Sequence, residues 1–272
     1  MLDPITRLLT LQSMSGGVSA YAKPIVLMYH GTTFGKPSCK YSISAEMFNE
    51  HLKFLKTNGW NTILFRDLLK GFPFSPKTIV LTFDDGYANN YIGAFKPILK
   101  YRMKATWFIT TDCVGREAHW QEQNQGENSL LDHSQLKKMA ENGMEIASHT
   151  CSHPDLTSLS YEKQTEEMRA SKHYLEMLIR DEVVSFAYPF GKFDEKSIEA
   201  VRNSGYKIAC TTNSGSLSPE TDSMLVPRIT IFRNDSVSDL ARKLIFSDNE
   251  VPLRKISAYY MNRIRQRLHF GS

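Results

Sequence analysis

The chain has 272 residues, 41% of them hydrophobic and 23% charged, enough to bury one large core or one core and a tail. Its formal charge of +4 is matched by the last segment alone, where Arg254, Lys255, Arg263, Arg265 and Arg267 face only Glu250, so the body is near neutral and a basic nucleic-acid-binding core is excluded. No apolar run reaches the length of a membrane span, and Cys39, Cys113, Cys151 and Cys210 lack a C-x-x-C spacing and suit a reducing compartment.

Residues 1–23 read as a lead-in. Asp3 and the short apolar stretch Leu8–Leu11 make a poor export signal, and Gly16-Gly17 reads as a joint. The expected location is the cytoplasm, with export as the alternative. Ile25 to Tyr29 is the first strand and ends in His30. The following Gly31–Lys36 stretch is one residue short of a phosphate loop and carries Pro37 in place of the hydroxyl residue, so it is not one. Ser44 to Asn58 is a helix with Phe48, Leu52 and Leu55 on one face. Strand Asn61–Phe65 and a short helix Arg66–Lys70 follow. Thr78 to Phe83 is apolar and β-branched, a buried strand that ends in Asp84-Asp85-Gly86.

Asn89 to Tyr101 is expected to be helical despite Pro97, and Lys104 to Thr110 a strand. Asp112 to Leu131 is a long polar loop, a type of segment that is usually functional. Asp132 with Gln135 forms a capping box for a helix ending at Asn142-Gly143. Strand Gly143–Ser148 ends in the loop His149–Pro154. Ser160 to Arg180 is the longest helix, with Met168, Leu175 and Leu178 on one side. Strand Val183–Ala187, helix Asp194–Ser204 and strands Lys207–Thr212 and Leu225–Ile231 complete the body. Helices end in Gly59, Gly143 and Gly205 just before strands, a repeat of parallel α/β units. About eight strands alternating with helices predict an α/β fold, a (β/α) barrel. In a barrel the C-terminal strand ends share one face, where His30, Asp84, Asp85, His149 and Tyr188-Pro189-Phe190 all fall.

Two adjacent carboxylates at a strand end need a metal, a base or a shared proton to offset repulsion and desolvation. Read alone, Asp84-Asp85-Gly86 is equally a solvated turn. His149 and His153, four apart, suit one divalent ion, and with one carboxylate they make two His and one Asp, the count of an open catalytic site.

These residues resemble the polysaccharide deacetylases of the NodB-homology type (carbohydrate esterase family 4) over roughly residues 24 to 235. Thr82-Phe83-Asp84-Asp85-Gly86 is similar to the first motif and His149–Pro154 to the second. Pro24–His30 and Phe186–Gly191 resemble the circularly permuted branch that deacetylates poly-N-acetylglucosamine. The resemblance implies a distorted parallel barrel of seven or eight strands over residues 24–246. It implies one divalent metal ion, zinc first with nickel, cobalt or iron as alternatives, on Asp85, His149 and His153. It further implies Asp84 as general base, the Phe190 backbone N–H as oxyanion donor, and His30 as general acid in place of the family's late Leu-x-Leu-His histidine, which is missing. Ala187 occupies the position of the arginine that steadies the base in most of the family. Arg228 is a candidate substitute, or a surface arginine. Tyr188 and Pro189 belong to the segment expected to line the sugar pocket, where Tyr188 either contacts the sugar or simply packs. Trp120 either stacks on a sugar ring or anchors its loop, and Cys151 is a weaker candidate for a fourth ligand.

The expected reaction is removal of an N-acetyl group from an amino sugar of a polysaccharide or glycan precursor by metal-activated water. The alternatives are deformylation or another amide or ester hydrolysis on a lipid-linked or nucleotide sugar, and a non-catalytic carbohydrate-binding barrel. No G-x-S-x-G supports a serine hydrolase. Residues 247–272 form a basic tail in which Leu253, Ile256, Tyr260, Ile264 and Leu268 make one helical stripe. It packs on the barrel or lies on an anionic membrane surface through residues 250–270, at the inner face.

Overall fold

Strands and helices alternate along the chain. β1 (Ile25–Tyr29) leads through a short parallel ladder, β2 (Thr32–Thr33) with β3 (Ile43–Ser44), into α1 (Ala45–Thr57) and β4 (Asn61–Ile63). Then come β5 (Thr78–Phe83), α2 (Lys96–Lys100), β6 (Thr106–Ile109), α3 (His133–Glu141) and β7 (Glu145–Ser148). The longest helix, α4 (Tyr161–Ile179), precedes β8 (Ser185–Ala187), α5 (Glu195–Asn203), β9 (Ile208–Cys210), β10 (Ile229–Thr230) and α6 (Val237–Phe246). The computed structural model describes residues 2–4, 6, 7, 23–37, 39–120, 128–251, 255–258 and 261.

β5 is the organising strand, and all of its residues are buried. One edge pairs in parallel with β1, from Ile25 opposite Ile79 to Tyr29 opposite Phe83. The other edge is shared: β4 takes Thr78 to Val80 and β6 takes Thr82 and Phe83. The sheet continues in parallel through β7, β8 and β9. β10 lies against the free edge of β1, while Val226 just before it bridges to Cys210 of β9. One stretch of chain thus touches both ends of the curled sheet and closes the distorted barrel that the helix–Gly–strand repeat predicts.

Alternation along the strands separates two apolar layers. Ile25, Leu27, Tyr29, Ile79, Leu81 and Phe83 face out and pack under Phe48, Leu52 and Leu55 of α1 and Met168 and Leu175 of α4. Val26, Val80, Phe108, Ala147, Ala187 and Cys210 face in and fill the ring. Local sequence sets the helix ends. Ser44 accepts the Met47 N–H at the start of α1, and Asp132 and Gln135 form a reciprocal box at the start of α3. Gly59, Gly143 and Gly205 have φ of +73°, +76° and +85°, the left-handed turn that releases each helix into the next strand.

Helix α6 has no counterpart among the expected elements, the strands expected over Asn61–Phe65 and Lys207–Thr212 shorten to β4 and β9, and three further departures have a clear cause. The helix expected over Asn89–Tyr101 is a π-helical turn, Tyr91–Phe95, followed by α2, because Pro97 lacks an N–H and sits in the first turn of a new helix. The strand expected over Leu225–Ile231 shrinks to β10, since the Arg228 N–H goes to the Asn213 carbonyl instead of a ladder. The long loop is not featureless. It opens in a 3-10 turn (Thr111–Cys113) and pairs back on itself and on β5's loop through Glu117–Ser129 and Tyr87–Leu130. Its residues 121–127 lie outside the described residues.

Of the tail's predicted stripe only Ile256 is among the described residues, and it is buried. Leu253, Tyr260, Ile264 and Leu268, which carry the membrane reading, lie outside them, as do Leu8–Leu11 and Gly16-Gly17 of the lead-in. Asp3, in the lead-in, pairs with Arg242 of α6 at 2.7 Å. No described helix is long and apolar enough to cross a membrane.

Candidate active site

The strand β5 stops at Phe83, and the backbone turns at once, with φ of +69° at Asp85 and +88° at Gly86. The turn suspends strand alternation, so Asp84 and Asp85 both face the C-terminal end of the ring, 3% and 5% exposed. Among the described residues eight non-glycines have positive φ, and four of these, Asp85, Thr150, His153 and Phe190, belong to the loops of this one face. Such strain persists where surrounding structure over-determines it, and it collects at functional sites.

Arg228 is fully buried and reaches Asp84 from the closing strand. Its Nη1 donates to Oδ1 at 2.6 Å and its Nη2 to Oδ2 at 2.7 Å, a two-pronged fork. The guanidinium is itself held, Nε donating to the Thr211 carbonyl at 2.9 Å and Nη1 to the Thr82 hydroxyl at 3.2 Å. It also lies over the Phe108 ring. Burial raises the Asp84 carboxyl, but the charge and hydrogen bonds of Arg228 outweigh it and hold Asp84 below its ordinary value. Asp84 is therefore an anion near neutral pH. Ala187, where a family arginine would stand, instead fills the ring and offers its carbonyl to His149.

His149 and His153 follow β7 in a loop bent at Thr150 (φ +69°) and His153 (φ +59°). The loop is fastened from α4 by Glu167, whose carboxylate accepts the Cys151 and Ser152 N–H groups, both at 2.9 Å. The Cys151 thiol turns to the Glu167 carbonyl at 3.3 Å, and burial pushes it up to about 11. It is not among the converging donors. His149 Nδ1 donates to the Ala187 carbonyl at 2.8 Å, which fixes the tautomer and leaves the Nε2 lone pair facing the acids.

Asp85, His149 and His153 offer one donor atom each within 4.8 Å of one another, all buried. His149 Nε2 and His153 Nε2 stand 3.5 and 3.3 Å from Asp85 Oδ1. These separations exceed the about 2.7–2.9 Å of a charge-assisted hydrogen bond. They match the spacing, about 3.3 Å, of ligands placed about 2.0–2.1 Å from a tetrahedral ion. Imidazole and carboxylate donors suit zinc and several other divalent ions, so this set could hold one. Burial opposes charge on Asp85, yet the two histidines hold its carboxyl well below the ordinary value. The histidines diverge. Burial is outweighed at His149 by Asp85 and Asp84, so its imidazole is raised; at His153 burial and repulsion from His149 win, and it is lowered.

These groups open on a cleft of about 680 Å³, within the usual range for small-molecule sites. His30, at the end of β1, lines it with its ring stacked on Tyr41 at 5.0 Å, and its Nδ1 is buried without a partner among the described residues. Phe190 sits in the turn after β8, 54% exposed, with its ring edge-on to His153 at 4.4 Å. Tyr188 borders the cleft but is packed between Phe186 and Phe193, and Pro189 is buried in the same turn. Trp120 lines the cleft and stacks on His153 at 4.4 Å. Several contributors carry no sequence motif of their own: Thr211 behind Arg228, Glu167 behind the histidine loop, and Asn249. The last accepts the Thr230 N–H at 2.6 Å and lines the cleft from the region assigned to the tail. Tyr87, one residue beyond Gly86, hydrogen-bonds both Asp85 and Trp120; its adjacency to the Asp-Asp-Gly turn was the available signal.

Comparison with known proteins places the chain in a family. A family model described as polysaccharide deacetylase matches residues 72–209, which leaves His30 and Arg228 on either side of the matched segment. The chain is 30% identical over 214 residues to YxkH of Bacillus subtilis strain 168, which bears a provisional polysaccharide-deacetylase assignment; the match covers 77% of this chain and 72% of that protein. It is 25% identical over 225 residues to the poly-beta-1,6-N-acetyl-D-glucosamine N-deacetylase of Staphylococcus epidermidis, covering 77% and 74%. Among solved structures, the deacetylase PplD of Streptococcus pyogenes in complex with acetate superposes with a TM-score of 0.72 at 28% identity, over 82% of this chain and 98% of that one. With the motifs, the ring and its cleft on one face, and these matches over most of its length, the chain belongs to the polysaccharide deacetylase family.

Proposed function

We propose that the chain hydrolyses N-acetyl groups from amino sugars of a polysaccharide, releasing acetate and a free amine, with one divalent cation held by Asp85, His149 and His153. The observation that carries this reading is the buried Arg228–Asp84 fork set directly beside the three converging donors. Zinc is the first expectation for the ion, with nickel, cobalt or iron as alternatives. When bound, such an ion supplies Lewis-acid polarisation of the amide carbonyl and acidifies water.

The chain's own residues do the rest. Asp84 is an unliganded anion whose two oxygens each give one lone pair to Arg228 and keep another. It takes a proton from water as the water oxygen adds to the acetyl carbon. Arg228 holds the carboxylate in one orientation and restrains its basicity. The Phe190 N–H, in the turn after β8, stabilises charge on the former carbonyl oxygen. His30, across the cleft, protonates the sugar nitrogen as the C–N bond breaks, because an amine does not leave as an anion. The atoms balance: amide plus water gives acetate, amine and one proton, and the proton that Asp84 takes offsets the one that His30 gives.

Poly-β-1,6-N-acetylglucosamine, named in the staphylococcal relative, is the first polymer to test, beside other N-acetylated oligosaccharides. Acetate release that disappears on chelation and returns with one added divalent ion supports the reading. Undiminished release in the presence of chelator contradicts it.

A further inference from the structure

Asp85, His149 and His153 are held in three different ways. His149 is oriented by its hydrogen bond to the Ala187 carbonyl. His153 has no equivalent, since its Nδ1 is buried without a hydrogen-bond partner among the described residues. Its ring is instead clamped between two aromatic groups. The Trp120 indole stacks on it at 4.4 Å between centroids and 24° between planes, and Phe190 meets it edge-on at 4.4 Å.

The same indole reaches the third donor indirectly. Trp120 hydrogen-bonds the Tyr87 hydroxyl, which also hydrogen-bonds Asp85. An indole can only donate, so the Tyr87 oxygen accepts from Trp120 and its own proton goes to the Asp85 carboxylate. One residue of the long loop thus contacts two of the three donors, one directly and one through Tyr87.

Trp120 is itself well seated. It packs against Tyr87, Cys113, Ala118 and Leu130. Its neighbour His119 ties the loop to the histidine loop. The Ser152 carbonyl can only accept, so His119 Nε2 donates to it at 3.0 Å, and Nδ1 takes the Cys113 thiol proton at 3.2 Å. Backbone bonds from Ala88 to Ser129 and from Leu131 to Gly86 pin the base of the loop to the Asp84-Asp85-Gly86 turn.

We propose that Tyr87 and Trp120 are positioning residues for the cation site, the phenol orienting Asp85 and the indole orienting His153, so that the seated Trp120 and the bound ion stabilise one another. The proposal rests on Asp85, His149 and His153 being cation ligands. Partners of metal ligands commonly contribute about 10–100-fold to affinity.

The test is the Zn²⁺ dissociation constant, measured by competition with a chromophoric chelator, for wild type, Tyr87→Phe, Trp120→Phe and Trp120→Ala. Tyr87→Phe removes one oxygen and is expected to weaken zinc about 10-fold or more. Trp120→Phe keeps a ring on His153 but loses the N–H and is expected to fall between wild type and Trp120→Ala, the weakest binder. A role confined to folding would lower the melting temperature of the metal-free protein and leave the dissociation constants within about twofold of wild type, which overturns the proposal. Tryptophan fluorescence gives a second measurement on the folded chain. Zinc should change it in wild type but not in Trp120→Phe, and a change that persists in the variant overturns the clamp on His153. Failure of wild type itself to bind zinc or any other divalent ion overturns the cation-site reading and the proposal together, whereas binding that ignores both substitutions overturns the proposal alone.

Discussion

Asp84 and Glu145 sit at opposite ends of the same ring of strands, 3% and 4% exposed. Glu145 opens β7 at the N-terminal end. Its carboxylate accepts hydrogen bonds from Thr106 Oγ1 at 2.7 Å, Ser185 Oγ at 2.5 Å and the Arg66 N–H at 3.0 Å. The side chains that hydrogen-bond it are neutral, and burial raises its carboxyl above the ordinary value despite them and the nearby Arg66 charge. It even borders a cleft, of about 370 Å³. Asp84 is equally buried, but a permanent cation is forked onto it and its carboxyl is lowered. Burial and a nearby cleft are thus common to both carboxylates. A dedicated counter-charge, with histidines converging alongside and free lone pairs facing the cleft, separates the two ends.

The largest expected effect falls on the reaction. Asp84→Asn should lower acetate release by about 10²–10⁴-fold, the usual reach of general acid–base catalysis. Glu145→Gln should leave kcat and KM within about twofold; an equal loss in both variants would erase the distinction between the two ends.

Next is the stability of the fork. Removing either partner strands a buried charge and should cost about 3–5 kcal/mol. The pair Asp84→Asn with Arg228→Met should cost less than the sum of the singles by about 1–3 kcal/mol in denaturant melts. Additive losses, in stability and in kcat, would count against Arg228 acting through Asp84.

A third buried group sharpens the contrast from the scaffold side. His51 of α1 is fully buried, donating to the Asp235 carbonyl at 3.1 Å and accepting the Tyr29 hydroxyl at 3.2 Å, and burial lowers it to about 4. The unfolded chain protonates this histidine near pH 6.5 while the folded chain resists. Its contribution is thus complete above pH 6.5 and is lost as pH falls toward 4, about 3 kcal/mol in all. Denaturant melts across that window should show the slope, and His51→Gln should flatten it.

The smallest effect is expected at Glu145. Glu145→Gln replaces an acceptor with a donor among hydroxyls that already donate, and should cost about 1–3 kcal/mol. A stabilised variant would show that the neutral network is not satisfied as the distances indicate.

The barrel was legible because its signals are local. A β-branched run, a serine or aspartate cap and a glycine before each strand are short-range features, and Ser44, Asp132 and Gly59 each act where their sequence neighbours place them. Elements without such signals shifted. Pro97 divided a helix, and β10 was shortened by a hydrogen bond from Arg228 to Asn213 that no periodicity encodes. At the site, Asp84, Asp85, His149 and His153 stand in two compact motifs and could be read directly. Arg228 lies 144 residues from Asp84 and has no motif, so only a gap at Ala187 pointed toward it. Glu167, Asn249 and the Tyr87–Trp120 contact were hidden for the same reason, since each depends on which loops the ring brings together.

Asp84 acts in this mechanism as the base beside a cation that Asp85, His149 and His153 would hold. The most direct test is bound metal by elemental analysis, paired with acetate release from N-acetylated oligosaccharides, for wild type and Asp84→Asn. The expected result is about one divalent ion per chain in both proteins and acetate from wild type alone. An absence of metal under replete conditions, or undiminished acetate release by Asp84→Asn, would contradict it.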